Sequence, residues 1–207
     1  MAVTFDLFGT LVDAEYPVDP AEAVARDLES RGVTVPDDWH VAYGEHHVDA
    51  PSGAEVPLPA HVAHALASRG VTAEDTAVRH AVVAAFDPDV TRRDGALDAV
   101  SVAAERGPVG VLSNCSVPEL VPKTLIRAGL RGRFDAVTTS IGCGWRKPHA
   151  KAFEAAATDL GVTTETLIHV GDDPTADGGV DAVGGRFVDV TETPLTAIGA
   201  ALEAESQ

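Results

Sequence analysis

The chain opens on a short, mostly apolar segment, Ala2 to Leu7, broken at once by Gly9-Thr10. A compact apolar run closed by a turn signal predicts a buried strand, here one that delivers an aspartate, Asp6, near its end. From Asp13 to about Val90 the pattern changes. Apolar positions recur at helical spacing, as at Ala21, Val24, Ala25 and Leu28, between breaks at Gly32, Pro36 and the stretch from Pro51 to Pro59. With no convincing strand in it, this region predicts an all-helical insertion. After Thr91 strands and helices alternate: helix Gly95 to Arg106, strand Val109 to Leu112, helix Pro118 to Ala128, strand Ala136 to Thr139 and helix Ala150 to Leu160. Strand Leu167 to Val170, a helix after Pro174, strand Arg186 to Val190 and a final helix complete the series.

Strands alternating with helices at this spacing imply right-handed crossovers and an α/β fold with a doubly wound parallel sheet. The expected organisation is an α/β core from residues 1–13 and 91–207, with 14–90 as a small helical insertion after the first strand. In such sheets ligands bind beyond the carboxyl ends of the strands. The polar residues found there are Asp6, then Ser113 and Asn114, then Ser140 and Lys147, then Asp172, Asp173 and Asp177. Four segments thus bring carboxylates, two hydroxyls, an amide and one cation to one edge.

Composition narrows the partners. The balance of 32 acidic to 15 basic residues gives a net charge of −17, spread over the whole chain, which predicts a halophile-type surface. No basic stripe is present, so binding to a nucleic-acid backbone is not expected. No apolar run reaches the roughly 20 residues of a membrane span. The first strand follows the N-terminus directly, and a cytoplasmic protein is expected. Cys115 and Cys143 form no metal or redox pattern and are expected to be reduced, small packing residues. No motif specifies an oligomeric state.

The strand-end residues suggest a chemistry. A carboxylate can attack a phosphoryl group and form an acyl phosphate, but anion then approaches anion. A magnesium ion offsets that repulsion and prefers one or two carboxylates plus water and substrate oxygens. Asp6 and Asp172 fit, since two bare carboxylates about 4 Å apart repel by roughly 4 kcal/mol at an effective dielectric of 20. Lys147, one of only three lysines, can hold the nucleophile and the incoming group, and Ser113 can donate to its oxygens.

These pieces, in this order, resemble the four motifs of the haloacid dehalogenase superfamily. The first is Phe5-Asp6-Leu7-Phe8-Gly9-Thr10-Leu11-Val12-Asp13, the second Val111-Leu112-Ser113-Asn114, the third Arg146-Lys147-Pro148 and the fourth His169-Val170-Gly171-Asp172-Asp173-Pro174-Thr175-Ala176-Asp177. The resemblance implies a hydrolase in which Asp6 is the nucleophile, Ser113 binds the transferred group and Lys147 positions it. Magnesium would be held by Asp6, Asp172 and the Phe8 carbonyl, with Asp173 and Asp177 in support. Thr10 and Asn114 join Ser113 and Lys147 as expected substrate-binding residues, and residues 14–90 take the place of the family's cap. The implied partner is a small phosphorylated metabolite.

Phe8 departs from the phosphatase pattern. Family phosphatases usually carry a second aspartate there, as general acid to the leaving alcohol, whereas family dehalogenases have an aromatic residue and need no metal. Phe8 points towards dehalogenation, but the acidic fourth motif outweighs it, so a magnesium-dependent phosphatase working through an aspartyl phosphate is expected, with a 2-haloacid dehalogenase as the alternative. A dehalogenase would need an arginine for the substrate carboxylate, for which Arg26 and Arg31 are early candidates. A phosphatase could draw its missing acid from His46 or His47. His169 reads as a packing residue within its strand, and Tyr16, Trp39 and Tyr43 as either substrate-facing or core residues of the insertion. Two non-enzymatic readings remain: a phosphoacceptor switch, for which the chain is too long, and a degenerate homologue used for binding.

Overall fold

The computed structural model describes residues 1–203. Strand β1 (Ala2–Phe5) leads through Asp6 into a short β2 (Val12–Ala14). Four helices follow, α1 (Pro20–Ser30), α2 (Trp39–Gly44), α3 (Leu58–Ser68) and α4 (Asp75–Ala85), and then β3 (Val90–Arg92). The remainder is α5 (Ala96–Ala104), β4 (Val109–Ser113), α6 (Leu120–Arg127), β5 (Ala136–Thr139), α7 (Ser140–Cys143), α8 (Ala150–Asp159), β6 (Leu167–Gly171), β7 (Arg186–Asp189) and α9 (Ile198–Glu203). Strands β5-β4-β1-β6-β7 lie in that order in one sheet, and every pairing is parallel. The expected doubly wound α/β architecture is present.

The three central strands are buried at every position. Helices cover both faces, so these strands read as near-continuous apolar runs instead of alternating ones. Alternation still sorts the side chains. Val3, Phe5, Val109, Val111, Ile168 and Val170 join one large apolar cluster, while Ala2, Leu112 and Leu167 pack with Ala152, Phe153, Ala156 and Leu160 of α8. Thr4 and His169 are buried too, with the Thr4 hydroxyl 2.9 Å from His169 Nδ1. Strand order reverses at β1, whose neighbours β4 and β6 continue in opposite directions. The carboxyl ends of these three strands therefore frame the crevice.

The helices of the insertion hold together around Trp39, whose indole donates to the Ala21 carbonyl at 2.8 Å and whose ring meets Tyr43 edge-on. Between α2 and α3 the chain returns to the core. Ala54 bridges to Trp145, Glu55 N–H donates to Gly144 O at 2.9 Å, Arg146 N–H to Gly53 O at 2.9 Å and Leu58 N–H to Ser116 O at 2.8 Å.

Three local expectations change. The first strand ends at Phe5. Strands β2 and β3, unforeseen, pair antiparallel from Val12↔Arg92 to Ala14↔Val90; three residues are too few to show alternation. The helix after Pro174 is a 3-10 helix over Asp177–Val183, where adjacent Gly178 and Gly179 weaken regular α-helix. Among the described residues no helix is long and apolar enough to cross a membrane.

Phe153 is fully buried against the sheet and meets His169 edge-on at 5.5 Å. Phe153→Ala should cost about 3–5 kcal/mol by transfer and cavity formation together. Urea unfolding checks this, and a loss below about 1 kcal/mol would mean the site can collapse around the gap.

Candidate active site

The register brings the motif residues together. Asp6 follows β1 directly and its N–H donates to Val170 O at 2.8 Å, while Ser113 ends β4 and Asp172 follows the last residue of β6. Lys147 reaches in from the loop before α8 with its side chain 2 % exposed. Its ammonium donates to Asp6 Oδ1 at 2.8 Å, Leu112 O at 2.8 Å and Asp177 Oδ1 at 2.6 Å, which uses all three of its protons. Asn114 fixes the lysine's backbone from β4: its Oδ1 accepts from Lys147 N at 2.8 Å and its Nδ2 donates to Lys147 O at 3.0 Å.

Asp172 accepts from the Thr10 hydroxyl at 2.9 Å, its only hydrogen-bond partner among the described residues. Gly9 lets this happen. Its φ of +84° lies in the left-handed region, and a Cβ there would run into the Asp172 carboxylate. Asp177 accepts from Lys147, from Asp173 N–H at 3.0 Å and from His169 Nε2 at 3.0 Å. Asp173 turns its own carboxylate to Thr175 N–H at 2.9 Å. One oxygen from each of Asp6, Asp172 and Asp177 falls within 4.8 Å of the others, a spacing that could hold a metal ion.

A cavity of about 270 Å³ is lined by Asp6, Phe8, Ser113, Asn114 and Lys147, together with Asp172, Asp173 and Asp177. Eight of the nine residues singled out from the sequence thus meet in one place; Thr10 lies behind it, fully buried, holding Asp172. The Ser113 hydroxyl is buried with no partner among the described residues. Phe8 packs edge-on against Tyr16 at 5.8 Å. His46 lies exposed beside Asp49, His47 is 2.6 Å from Ala42 O, and Arg26 and Arg31 pair with Glu22 and Asp27 of their own helix. None of these four lines the cavity.

Three residues of the site had no chemical role assigned from the sequence, His169 having been read as a packing residue. Arg146 lines the cavity and was visible only as the neighbour of Lys147. Glu55 sits in a proline-rich stretch without periodicity, and nothing local signals that it reaches Arg146, 2.7 Å away. His169 is hidden in an apolar strand, where only its polarity at a buried position could have flagged it.

A haloacid dehalogenase-like hydrolase family model matches residues 1–178. The chain belongs to this family of hydrolases. Its fold is shared by a predicted phosphoglycolate phosphatase from Haemophilus somnus, with TM-score 0.58, 14% identity, and coverage of 100% of this chain and 97% of that one. The L-2-haloacid dehalogenase of Xanthobacter autotrophicus gives TM-score 0.55, 23% identity, and coverage of 99% and 82%. The magnesium-bound HAD-hydrolase YfnB of Bacillus subtilis gives 0.51, 19%, 90% and 84%. No protein of curated function matches the sequence.

Electrostatics in the hydrolase's site follow from burial. Asp6 is pushed up to about 6, first by desolvation and then by the Asp177 charge, with Lys147 pulling the other way. His169 is pushed down to about 4 by burial and by the Lys147 charge. A neutral imidazole with its proton on Nε2 donates to Asp177 and accepts from Thr4, which satisfies both nitrogens. Burial alone would raise Asp177, but the hydrogen bonds from His169 and Lys147 prevail and hold it well below the usual carboxylate range.

Asp6 and His169 act oppositely on stability. Between the unfolded His value of 6.5 and about 4, only the unfolded state binds the His169 proton, so stability falls as pH falls. Between 3.8 and about 6 only the folded state holds the Asp6 proton, so stability falls as pH rises. The two offset each other from about pH 4 to 6. Asp6→Asn removes one of them. In metal-free buffer its stability relative to wild type should drop by about 2–3 kcal/mol as pH falls from 6 to 4. Chemical unfolding at several pH values measures this; parallel curves would place the Asp6 proton elsewhere.

Proposed function

We propose that this hydrolase is a magnesium-dependent phosphatase acting on a small phosphorylated metabolite through an aspartyl phosphate at Asp6. The observation that carries the reading is the state of Asp172. Lys147 spends its protons on Asp6, Leu112 O and Asp177, so Asp172 faces the cavity with no cation beside it among the described residues. Asp6, Asp172, Asp173 and Asp177 outnumber the cations at the cavity, Lys147 and an Arg146 already paired with Glu55, and this net negative charge is one an anionic substrate would not enter unaided. The donor set of carboxylate oxygens suits Mg2+, with Asp6, Asp172 and the Phe8 carbonyl as the residues that would hold it. When bound, the ion neutralises charge on the transferring phosphoryl group.

Lys147 occupies Asp6 Oδ1, which leaves Oδ2 to attack phosphorus. The P–O bond to the alcohol breaks, the departing alkoxide takes its proton from solvent water because Phe8 supplies none, and Asp6 carries the phosphoryl group. Water then attacks phosphorus, releases phosphate and restores the carboxylate. The Ser113 hydroxyl, without a partner among the described residues, donates to a phosphoryl oxygen. Asn114 and Thr10 position Lys147 and Asp172, and Asp173 and Asp177 support them. Residues 14–90 act as a cap over this cavity, a placement supported by the return of residues 53–58 to the loop at 144–146.

Phe8 supports a second reading. An aromatic side chain packed on Tyr16 lines the cavity where a leaving alcohol would need a proton, whereas a halide needs none. A 2-haloacid dehalogenase is therefore the alternative.

Wild type should release phosphate from an activated aryl phosphate only with magnesium, and Asp6→Asn should abolish turnover. Phe8→Asp should raise alkyl phosphate hydrolysis by a factor on the order of 10² to 10⁴, the worth of a general acid. Metal-independent halide release from 2-chloropropionate, with no gain from Phe8→Asp, would transfer the assignment to the dehalogenase.

A further inference from the structure

Two cations line the cavity, Lys147 and Arg146, and their donor inventories differ. Lys147 has no proton left for a ligand. Arg146 uses only Nη1, which donates to Glu55 Oε2 at 2.7 Å and to the Ser116 hydroxyl at 3.1 Å. Its Nε and Nη2 have no partner among the described residues, and its side chain is 41 % exposed. The guanidinium therefore keeps donors free at the cavity.

Glu55 holds it there. The Glu55 side chain is 2 % exposed, and both of its oxygens are engaged. Oε1 accepts from the Ser116 hydroxyl at 2.8 Å, and Oε2 accepts from Ser140 as well as from Arg146. The backbone around both residues is tied by the pairing of 53–55 with 144–146. A planar fork fixed along one side by a buried carboxylate presents its other side in a set orientation, and that side suits a second carboxylate bidentately. In a chain of net charge −17, a preoriented arginine with unused donors beside four aspartates has a substrate anion as its natural partner.

We propose that Arg146, positioned by Glu55, is a specificity-determining residue that binds a carboxylate on the substrate. The inference rests on the phosphatase reading and narrows its substrate class to short phosphorylated hydroxy acids. The phosphoryl group occupies Asp6 and Ser113, and the carboxylate turns towards Arg146. A cavity of about 270 Å³ lies at the small end of ligand sites and suits an acid of few carbons better than a sugar bisphosphate. Glu55 belongs to the insertion and Arg146 to the core, so substrate choice depends on contact between them.

The matched probes are 2-phospholactate and isopropyl phosphate, which differ in one carboxylate replacing a methyl group. Titration calorimetry in the Asp6→Asn protein with magnesium reads binding without turnover, and wild-type kinetics read kcat/KM for each phosphate. Charge-assisted hydrogen bonds to the carboxylate predict a preference of roughly 10- to 100-fold for 2-phospholactate. Arg146→Gln in the same background should bring the ratio close to one. Arg146→Lys, which still neutralises Glu55 but lacks the fork, should give an intermediate ratio and guards against misfolding of the glutamine variant. No preference in the parent protein, or equal weakening of both ligands by the two Arg146 variants, overturns the proposal and leaves Arg146 a structural partner of Glu55. A binding preference without wild-type turnover of either phosphate would retain the carboxylate site and reject the phosphatase reading.

Discussion

The site depends on one buried ammonium. Lys147 lies between Asp6 and Asp177, with the Leu112 carbonyl as its third acceptor. Taking such charges out of water is costly, and the cost is offset only if every proton and lone pair is matched. The local arrangement meets that demand. Asn114 clamps the lysine's backbone, the parallel register sets Asp6 and the Leu112 carbonyl on adjacent strands, and a neutral His169 gives its proton to Asp177 instead of adding a second buried cation. Removing one member leaves the others short of a partner, so the effect of any single exchange is felt by the whole group.

The same arithmetic explains the division of labour among the aspartates. Asp177 is spent on the lysine, the histidine and the Asp173 amide. Asp6 shares the lysine but keeps one oxygen towards the cavity, and among the described residues Asp172 has only the Thr10 hydroxyl. Three carboxylates of one residue type thus differ in role through their partners alone. Gly9 and Gly171 make the crowding possible, since a Cβ on either would collide with an aspartate carboxylate.

Much of this was legible in the sequence, for a physical reason. In a doubly wound sheet the residues beyond the carboxyl ends of the strands lie along one edge, so Asp6, Ser113, Lys147 and Asp172 could be gathered from their positions after expected strands. What could not be read depends on long-range contact or on weak local pattern. Strands β2 and β3 are three residues each, too short to show a period of two. Glu55 and Arg146 lie 91 residues apart, and their ion pair exists only because the insertion folds back onto the core. Thr10 was expected among the substrate-binding residues, and its hydroxyl proved to be directed at Asp172. Family membership settles hydrolysis and leaves the bond open, because both phosphatase and dehalogenase names occur among its structural relatives.

The bond is best tested by the fate of oxygen. If Asp6 carries a phosphoryl group, water attacks phosphorus; if it carries an alkyl ester, water attacks the Asp6 acyl carbon. A single-turnover reaction of excess enzyme with para-nitrophenyl phosphate and magnesium in heavy-oxygen water, read by mass spectrometry, should place the label in inorganic phosphate and leave the Asp6 peptide unlabelled. Heavy oxygen in the Asp6 carboxylate after reaction with 2-chloropropionate, with no phosphate released from the aryl ester, would contradict phosphoryl transfer.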